Sequence, residues 1–321
     1  MSEPSLVTLD EIREAAALLS GAVVRTPLVE MPELCETVGA GELRLKCENL
    51  QRTGSFKARG AINFVSRIPG SERARGVITF SSGNHAQAVA LAARLFGIRA
   101  VVVMPTTAPA VKRQGAEALG AEVVLEGTTS EERRARAEAI AAEQGLTIVP
   151  PFDHAHIIAG QGTVGLEVVA DWPRVDTWVV CIGGGGLASG SAAAIRRLRP
   201  DARIVGVEPE GAASMRAALE AGGPVTLAST ASVADGLLPV RAGALTHAHV
   251  RAFVDEVVTV SDDEIREAAR WLVHRGRMVV EYSGAAATAA LLAGRVDVAG
   301  RRVAAVVSGG NIDNAELSRL L

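Results

Sequence analysis

Short apolar runs rich in Val and Ile alternate with alanine-rich stretches of helical length through most of this chain, and that alternation restricts the fold more than any single residue does. The runs are residues 76–80 (GVITF), 100–104 (AVVVM), 122–125 (EVVL), 177–182 (TWVVCI), 204–208 (IVGVE) and 303–308 (VAAVVS). Helix-length segments at 86–96, 110–119, 131–144 and 189–198 lie between them. Strands apolar along their whole length are buried on both faces, which requires parallel sheets covered by helices. The expected class is α/β, with two open, mostly parallel, twisted sheets and flanking helices. A length of 321 residues agrees with about two domains. One block covers 66–154. The other covers 155–321 and takes in the N-terminal segment. The expectation is therefore a large domain of 1–65 and 155–321, a small domain of 66–154, and no C-terminal regulatory domain.

Composition excludes several function classes. Lys and Arg number 33 against 36 Asp and Glu, for a net charge of -3. Nothing there attracts nucleic acid or an anionic membrane. No run reaches the roughly 18 uninterrupted apolar residues of a membrane helix. The opening MSEPSLVTLDEIREAAALLSG lacks a basic leader and reads as an amphipathic helix capped by Thr8 or Asp10. Cys35, Cys47 and Cys181 are scattered, with no CxxC pair, so neither a disulfide framework nor a zinc site is expected. A soluble cytoplasmic protein is the simplest reading.

Ligands of open parallel sheets bind beyond the carboxyl ends of the strands. Four polar or glycine-rich segments fall at such places: 55–57 (SFK), 81–85 (SSGNH), 183–186 (GGGG) and 308–311 (SGGN). The four glycines follow TWVVCI and precede a helix-like stretch. Glycine lets backbone N–H groups converge, and a helix start adds free N–H groups and a positive dipole end. Together these form a phosphate cradle, although a strand–helix turn alone could also use glycine. The segment does not separate a dinucleotide from another phosphate ligand, because Asp201 and Glu208 fall near the ribose-binding spacing.

Lys57 discriminates. It follows a Gly-Ser turn at an expected helix start, with Arg59 nearby. A positive helix end and a neighbouring cation both favour the neutral amine that Schiff-base chemistry needs. In SSGNHAQAVA, Ser81 or Ser82 can cap a helix, Asn84 offers a donor and an acceptor, and the N–H groups of 81–85 can hold a carboxylate. Each has a structural alternative. Lone lysines are usually solvated, and a single histidine such as His85 is more often structural.

Taken in order, SFKARGA, FSSGNHAQ, VMP, IAGQGTVGLEV, GGGGLASG, VEPEGA, ADGL and SGGNID span nearly the whole chain. This set resembles the fold type II pyridoxal 5′-phosphate (PLP) family of serine/threonine dehydratases and serine racemases, whose architecture is that of the tryptophan synthase β-subunit. The resemblance implies that Lys57 would carry PLP and that Phe56 would pack beside its ring. Asn84 would bind the phenolic oxygen, Gly183, Gly184, Gly185, Gly186 and Leu187 the phosphate, and Ser308 would face the pyridine nitrogen. Ser81, Ser82, Asn84 and His85 would receive the substrate carboxylate. Lys57 would be the catalytic base, and Ser82 would occupy the position from which racemase members supply a second acid/base on the opposite ring face, a serine that dehydratases also have. The implied reaction is α,β-elimination from L-threonine or L-serine, giving a 2-oxo acid and ammonia in a homodimer or homotetramer.

Three positions depart from the family pattern. Ala86 stands where glycine is usual and Tyr282 where proline is usual. Glu208 and the Ala212 carbonyl match the ligands of a Mg2+ or monovalent-cation site, but Ser214 replaces its aspartate. A serine is a poorer ligand for a hard cation than a carboxylate. Asp153 and His154 fall in a substrate-side loop, and Arg133 is the candidate cation for a second acidic group. The rival readings are a racemase, a 3-hydroxyaspartate dehydratase and a non-catalytic ligand-binding relative.

Overall fold

The computed structural model describes residues 4–81, 83–108 and 110–321. Its strands are β1 (Leu28–Glu30), β2 (Glu42–Cys47), β3 (Val77–Phe80), β4 (Ala100–Met104), β5 (Glu122–Leu125), β6 (Thr147–Ile148), β7 (Thr177–Cys181), β8 (Arg203–Pro209), β9 (Glu256–Val260) and β10 (Arg302–Val307). Its helices are α1 (Leu9–Leu19), α2 (Pro32–Val38), α3 (Lys57–Ser66), α4 (Gly70–Arg73), α5 (Asn84–Phe96), α6 (Ala110–Ala118) and α7 (Ser130–Gln144). They continue as α8 (Ala155–Asp171), α9 (Gly186–Leu198), α10 (Ser214–Glu220), α11 (Ala244–Phe253), α12 (Asp262–His274), α13 (Tyr282–Leu292) and α14 (Asn314–Leu320).

The strands form two sheets. Six strands in the order β1-β2-β10-β7-β8-β9 make one, parallel except that β1 runs antiparallel to β2. Four strands in the order β5-β4-β3-β6 make the other, parallel throughout. The unbroken apolar runs become interior strands: β4 and β7 are buried along their whole length, and β10 along all but its first residue. The apolar runs do not announce β2, which reads ELRLKC. Its leucines face the core, the Arg44 guanidinium lies 4.5 Å from the Trp172 ring centroid, and Lys46 is buried among charges.

Helix starts fall earlier than propensity suggests. α9 begins at Gly186, in the glycine run itself, and α5 begins at Asn84. Thr8 caps α1 through a reciprocal box with Glu11. Ala86, one of the departures, is fully buried where α5 packs into the core of the four-stranded sheet.

Helix α8 is the rod against which two neighbouring helices are set. Its glycines allow close approach on two sides. A Cβ on Gly160 would meet the Arg59 carbonyl oxygen at 2.7 Å, so α3 lies against α8 there. A Cβ on Gly165 would meet the Ser191 carbonyl oxygen at 2.5 Å, so α9 lies against α8 on the other side. The motif IAGQGTVGLEV is thus a helix-packing motif rather than a ligand loop. The apolar face of α3 meanwhile enters the core of the four-stranded sheet through Ala58, Ala61, Ile62 and Val65.

A buried ionic cluster fixes α3. The Arg59 guanidinium donates to Glu48 at 2.8 and 2.9 Å, to Glu167 at 2.7 and 2.9 Å, and to the Thr163 hydroxyl at 3.0 Å. Lys46 Nζ donates to Glu167 at 2.6 Å and to the Thr26 carbonyl at 2.7 Å. The Thr26 hydroxyl donates to Glu48 at 2.5 Å. Two cations thus face two anions. Burial alone would raise the Glu48 acid, but the Arg59 charge and hydrogen bonds, with Lys46, hold it below its ordinary value. Removing one partner of a buried network strands the others without their countercharge. Arg59→Met should therefore cost about 3–5 kcal/mol in urea unfolding. Arg59→Met with Glu48→Gln should recover part of that loss, since one stranded anion is gone.

Candidate active site

The turn before α3 carries Lys57 to the end of β10. Thr53 and Gly54 are both left-handed, at φ 62 and 69. The chain then straightens, Ser55 bridges Gly309, and the Phe56 N–H donates to the Ser308 carbonyl at 3.2 Å. Lys57 comes next as the first residue of α3, with its ammonium 5.3 Å from the Phe56 ring centroid. Its Nζ donates to the Pro151 carbonyl at 2.8 Å. Burial pushes this amine down to about 8, while Cys181 and Glu281 oppose the fall. Arg59, expected to ease deprotonation, is not the cause. Its charge is answered by Glu48 and Glu167, and desolvation lowers the amine instead.

Facing Lys57, the chain leaves β7 through Gly183–Gly186. Gly185 is left-handed at φ 93, and no side chain caps α9. The first intrahelical bond runs from the Ser189 N–H to the Gly185 carbonyl at 2.8 Å. The N–H groups of Gly186, Leu187 and Ala188 therefore have no intrahelical partner. A Cβ on Gly184 would overlap the Phe152 ring, and one on Gly185 would stand 2.8 Å from Met215 and Thr246 carbon atoms. The Leu187 side chain is buried in the core, which leaves its N–H as its only contribution to a ligand. The neighbouring α11 offers nothing comparable. Asp153 accepts the N–H groups of Ala244, Leu245 and Thr246, each at 3.0 Å. This residue, read as substrate-side, is a helix cap. His154 lies edge-on to Phe64 with ring centroids 4.8 Å apart.

The third wall comes from β3 and α5. The N-cap of α5 is Gly83, with no side-chain cap. Ser81 does not cap the helix, because its hydroxyl accepts the Gly83 N–H at 3.3 Å instead. Ser82 lies outside the described residues. His85 Nε2 stands 3.1 Å from the Val149 carbonyl, and burial, with the Lys57 charge, pushes the imidazole down to about 3. A neutral ring facing a carbonyl through Nε2 carries its proton there, which leaves Nδ1 an acceptor. The ring so arranged donates nothing to a carboxylate, and only the His85 backbone N–H can do so. Asn84 Nδ2 donates to Glu281 at 2.5 Å, and Asn84 Oδ1 accepts from Asn311 at 2.8 Å.

Three groups here escaped the motif reading. Glu281 is buried, and desolvation lifts its carboxyl to about 7, assisted by Asp235 and opposed by Lys112, Asn84 and Lys57. Cys181 lies at the end of β7, where burial lifts the thiol to about 11 and Ser308 hydrogen-bonds it. Lys112 pairs with Asp235 across the cleft. Tyr282, the second departure, turns outward and donates to Glu316 at 3.1 Å.

The cation site does not assemble. Both Glu208 oxygens accept α10 N–H groups, from Met215 and Arg216, at 2.8 Å each. Burial raises this carboxyl to about 7, and the Ser214 hydroxyl has no hydrogen-bond partner. Among the described residues, no cluster of three His, Cys, Asp or Glu side chains could hold a metal. Glu208 and Ala212 therefore offer one carboxylate, already engaged by two N–H groups, and do not fit a divalent ion. Arg133 is buried rather than solvated and donates to the Thr128 carbonyl at 3.2 Å.

A family profile described as pyridoxal-phosphate dependent enzyme matches residues 19–309. This chain belongs to that family. An L-threonine ammonia-lyase of Thermotoga maritima is 44% identical over 316 residues, covering 98% of this chain and 78% of the relative. The L-threonine dehydratase catabolic TdcB of Escherichia coli is 42% identical, covering 98% and 96%. The solved structure of maize serine racemase superposes with a TM-score of 0.94 at 38% identity, over 98% of this chain and 97% of that one.

The residues present fit pyridoxal phosphate. Lys57 is a half-buried amine that gives up its proton far more readily than an ordinary lysine, as attachment to the aldehyde requires. The uncapped α9 start offers free N–H groups to a phosphate, and its glycines have no room for a Cβ, which would strike Phe152 at 184 and Met215 and Thr246 at 185. The neutral fraction of Lys57 rises about tenfold per pH unit up to its pKa. The rate of pyridoxal phosphate attachment to the apoprotein should accordingly climb with pH and flatten near 8 rather than near the usual lysine value. Gly185→Ala should weaken cofactor retention by about tenfold, because relieving about 1–3 kcal/mol of backbone strain and the 2.8 Å contacts with Met215 and Thr246 shifts the turn and the N–H groups that follow it. Equilibrium dialysis against pyridoxal phosphate measures it.

Proposed function

We propose that the protein is an L-threonine/L-serine ammonia-lyase, which eliminates water from the substrate and releases an enamine that takes up one water again on hydrolysis to a 2-oxo acid and ammonia. The observation that carries this reading is the 44% identity to an L-threonine ammonia-lyase over nearly the whole chain. The site chemistry supports it.

Bound pyridoxal phosphate supplies an electron sink conjugated to the substrate α-carbon. The protein does the rest. The N–H groups at the start of α9 hold the phosphate, and Asn84 keeps one amide N–H for the cofactor while the other is spent on Glu281. Ser308, at the end of β10, presents a hydroxyl and no carboxylate at the position expected to face the pyridine nitrogen. The uncapped start of α5 offers N–H groups to the substrate carboxylate. Lys57 Nζ, neutral in an appreciable fraction near pH 8, takes the proton from the substrate α-carbon.

The division into a domain of 66–154 and one of 1–65 with 155–321 is part of the proposal. It is supported by the segregation of the strands: 77–148 in one sheet, 28–47 and 177–307 in the other. We also place the protein in the cytoplasm as a homo-oligomer. Among the described residues no helix is long and apolar enough to cross a membrane.

L-Threonine should yield 2-oxobutanoate and ammonia in equal amounts, and L-serine should yield pyruvate and ammonia. A panel that adds D-serine and both 3-hydroxyaspartate isomers, scored for oxo acid and for the opposite enantiomer, tests this directly. Enantiomer interconversion with no oxo acid would replace the lyase with a racemase, and turnover of 3-hydroxyaspartate alone would move the substrate class.

A further inference from the structure

Lys112, on α6, reaches across the cleft from the four-stranded sheet to Asp235, in the turn that precedes α11 on the side of the six-stranded sheet. The pair is lopsided. The Lys112 side chain is only 11% exposed, whereas the Asp235 side chain is 48% exposed. The ammonium is held in the cleft, and its partner can turn to water at little cost. The lysine side chain also runs along Gly83, where an added Cβ would stand 3.6 Å from Nζ. Gly83 is the uncapped start of α5, the wall that offers N–H groups to the substrate carboxylate.

Lys112 and Asp235 line one cavity of about 460 Å³ with Glu281 and Asn311, the two residues that grip Asn84. Both charges are felt at Glu281, where Asp235 raises the carboxyl and Lys112 lowers it. Asp235 is thus a carboxylate of the protein's own, placed on a cation beside the segment where a substrate carboxylate would arrive.

We propose that Lys112 is a substrate-binding residue. It receives the carboxylate of the amino-acid substrate, and Asp235 occupies it until substrate displaces that side chain. The proposal rests on the reading that this site binds an amino acid. The exchange trades one ion pair for another inside the cleft, while Asp235 gains water. Its free-energy change is therefore smaller than that of forming a buried pair afresh, and Asp235 acts as a built-in competitor.

The test uses the holoenzyme and L-alanine, an amino acid with no β-leaving group, with binding measured by calorimetric titration. Lys112→Met should weaken L-alanine binding at least tenfold, and Lys112→Arg should restore most of it. Asp235→Asn, which removes the competitor, should tighten binding several-fold. The KM for L-threonine should move in the same order, with kcat changing less, because a carboxylate held equally in ground and transition states changes KM alone. An L-alanine affinity within twofold of wild type in Lys112→Met overturns the proposal. So does equal weakening by Lys112→Met and Asp235→Asn, the result expected of a purely structural bridge. If Lys112→Met does not fold, Asp235→Asn decides by itself: no tightening means no competition. Lys112-dependent binding of L-alanine without turnover of L-threonine would leave this proposal standing and remove the proposed reaction.

Discussion

Taking a guanidinium out of water costs several kcal/mol before any partner is met. This chain incurs that cost at Arg59 and again, for an ammonium, at Lys46. The return is geometric. Arg59 sits two residues beyond Lys57 on α3, and its five hydrogen bonds to Glu48, Glu167 and Thr163 tie that helix to the turn after β2 and to the body of α8. Because α8 is also the helix against which α9 packs, the amine and the glycine cradle are both referenced to one rod. Hydrophobic contacts alone would permit small slides between α3 and α8. Charge-assisted bonds with fixed directions do not.

Much of this is legible in the sequence, and the reason is physical. Interior parallel strands are apolar along their length, so β4, β7 and β10 stand out. Ligand segments come after strand ends, so SFK, SSGNH, GGGG and SGGN stand out too. What fails to show is whatever depends on partners distant in sequence. β2 carries Arg44 and Lys46, which read as solvent-facing, yet one stacks on Trp172 and the other is buried between Glu167 and the Thr26 carbonyl. Glu281 sits 197 residues from the Asn84 it holds, and Lys112 sits 123 from Asp235. No local pattern marks such pairs.

Local rules also misassign roles at the site. Ser81 is a common kind of helix cap, but its hydroxyl turns to the Gly83 N–H, and among the described residues no side chain caps α5. Propensity disfavours glycine within a helix, yet α9 starts inside the glycine run, where free N–H groups matter more than helix stability. In both places the backbone departs from the local optimum, as is expected where function sets the constraint.

Three consecutive residues before α8 each serve a different neighbour. The Pro151 carbonyl takes the Lys57 ammonium, the Phe152 ring fills the space over Gly184, and Asp153 caps α11. A loop bordering a substrate site is where evolution and engineers first look for altered selectivity. Here Phe152 and Asp153 are committed through their side chains, whereas Pro151 acts only through its backbone carbonyl, which any residue at that position supplies. A change at 152 or 153 in pursuit of new selectivity would therefore also open the space over Gly184 or uncap α11.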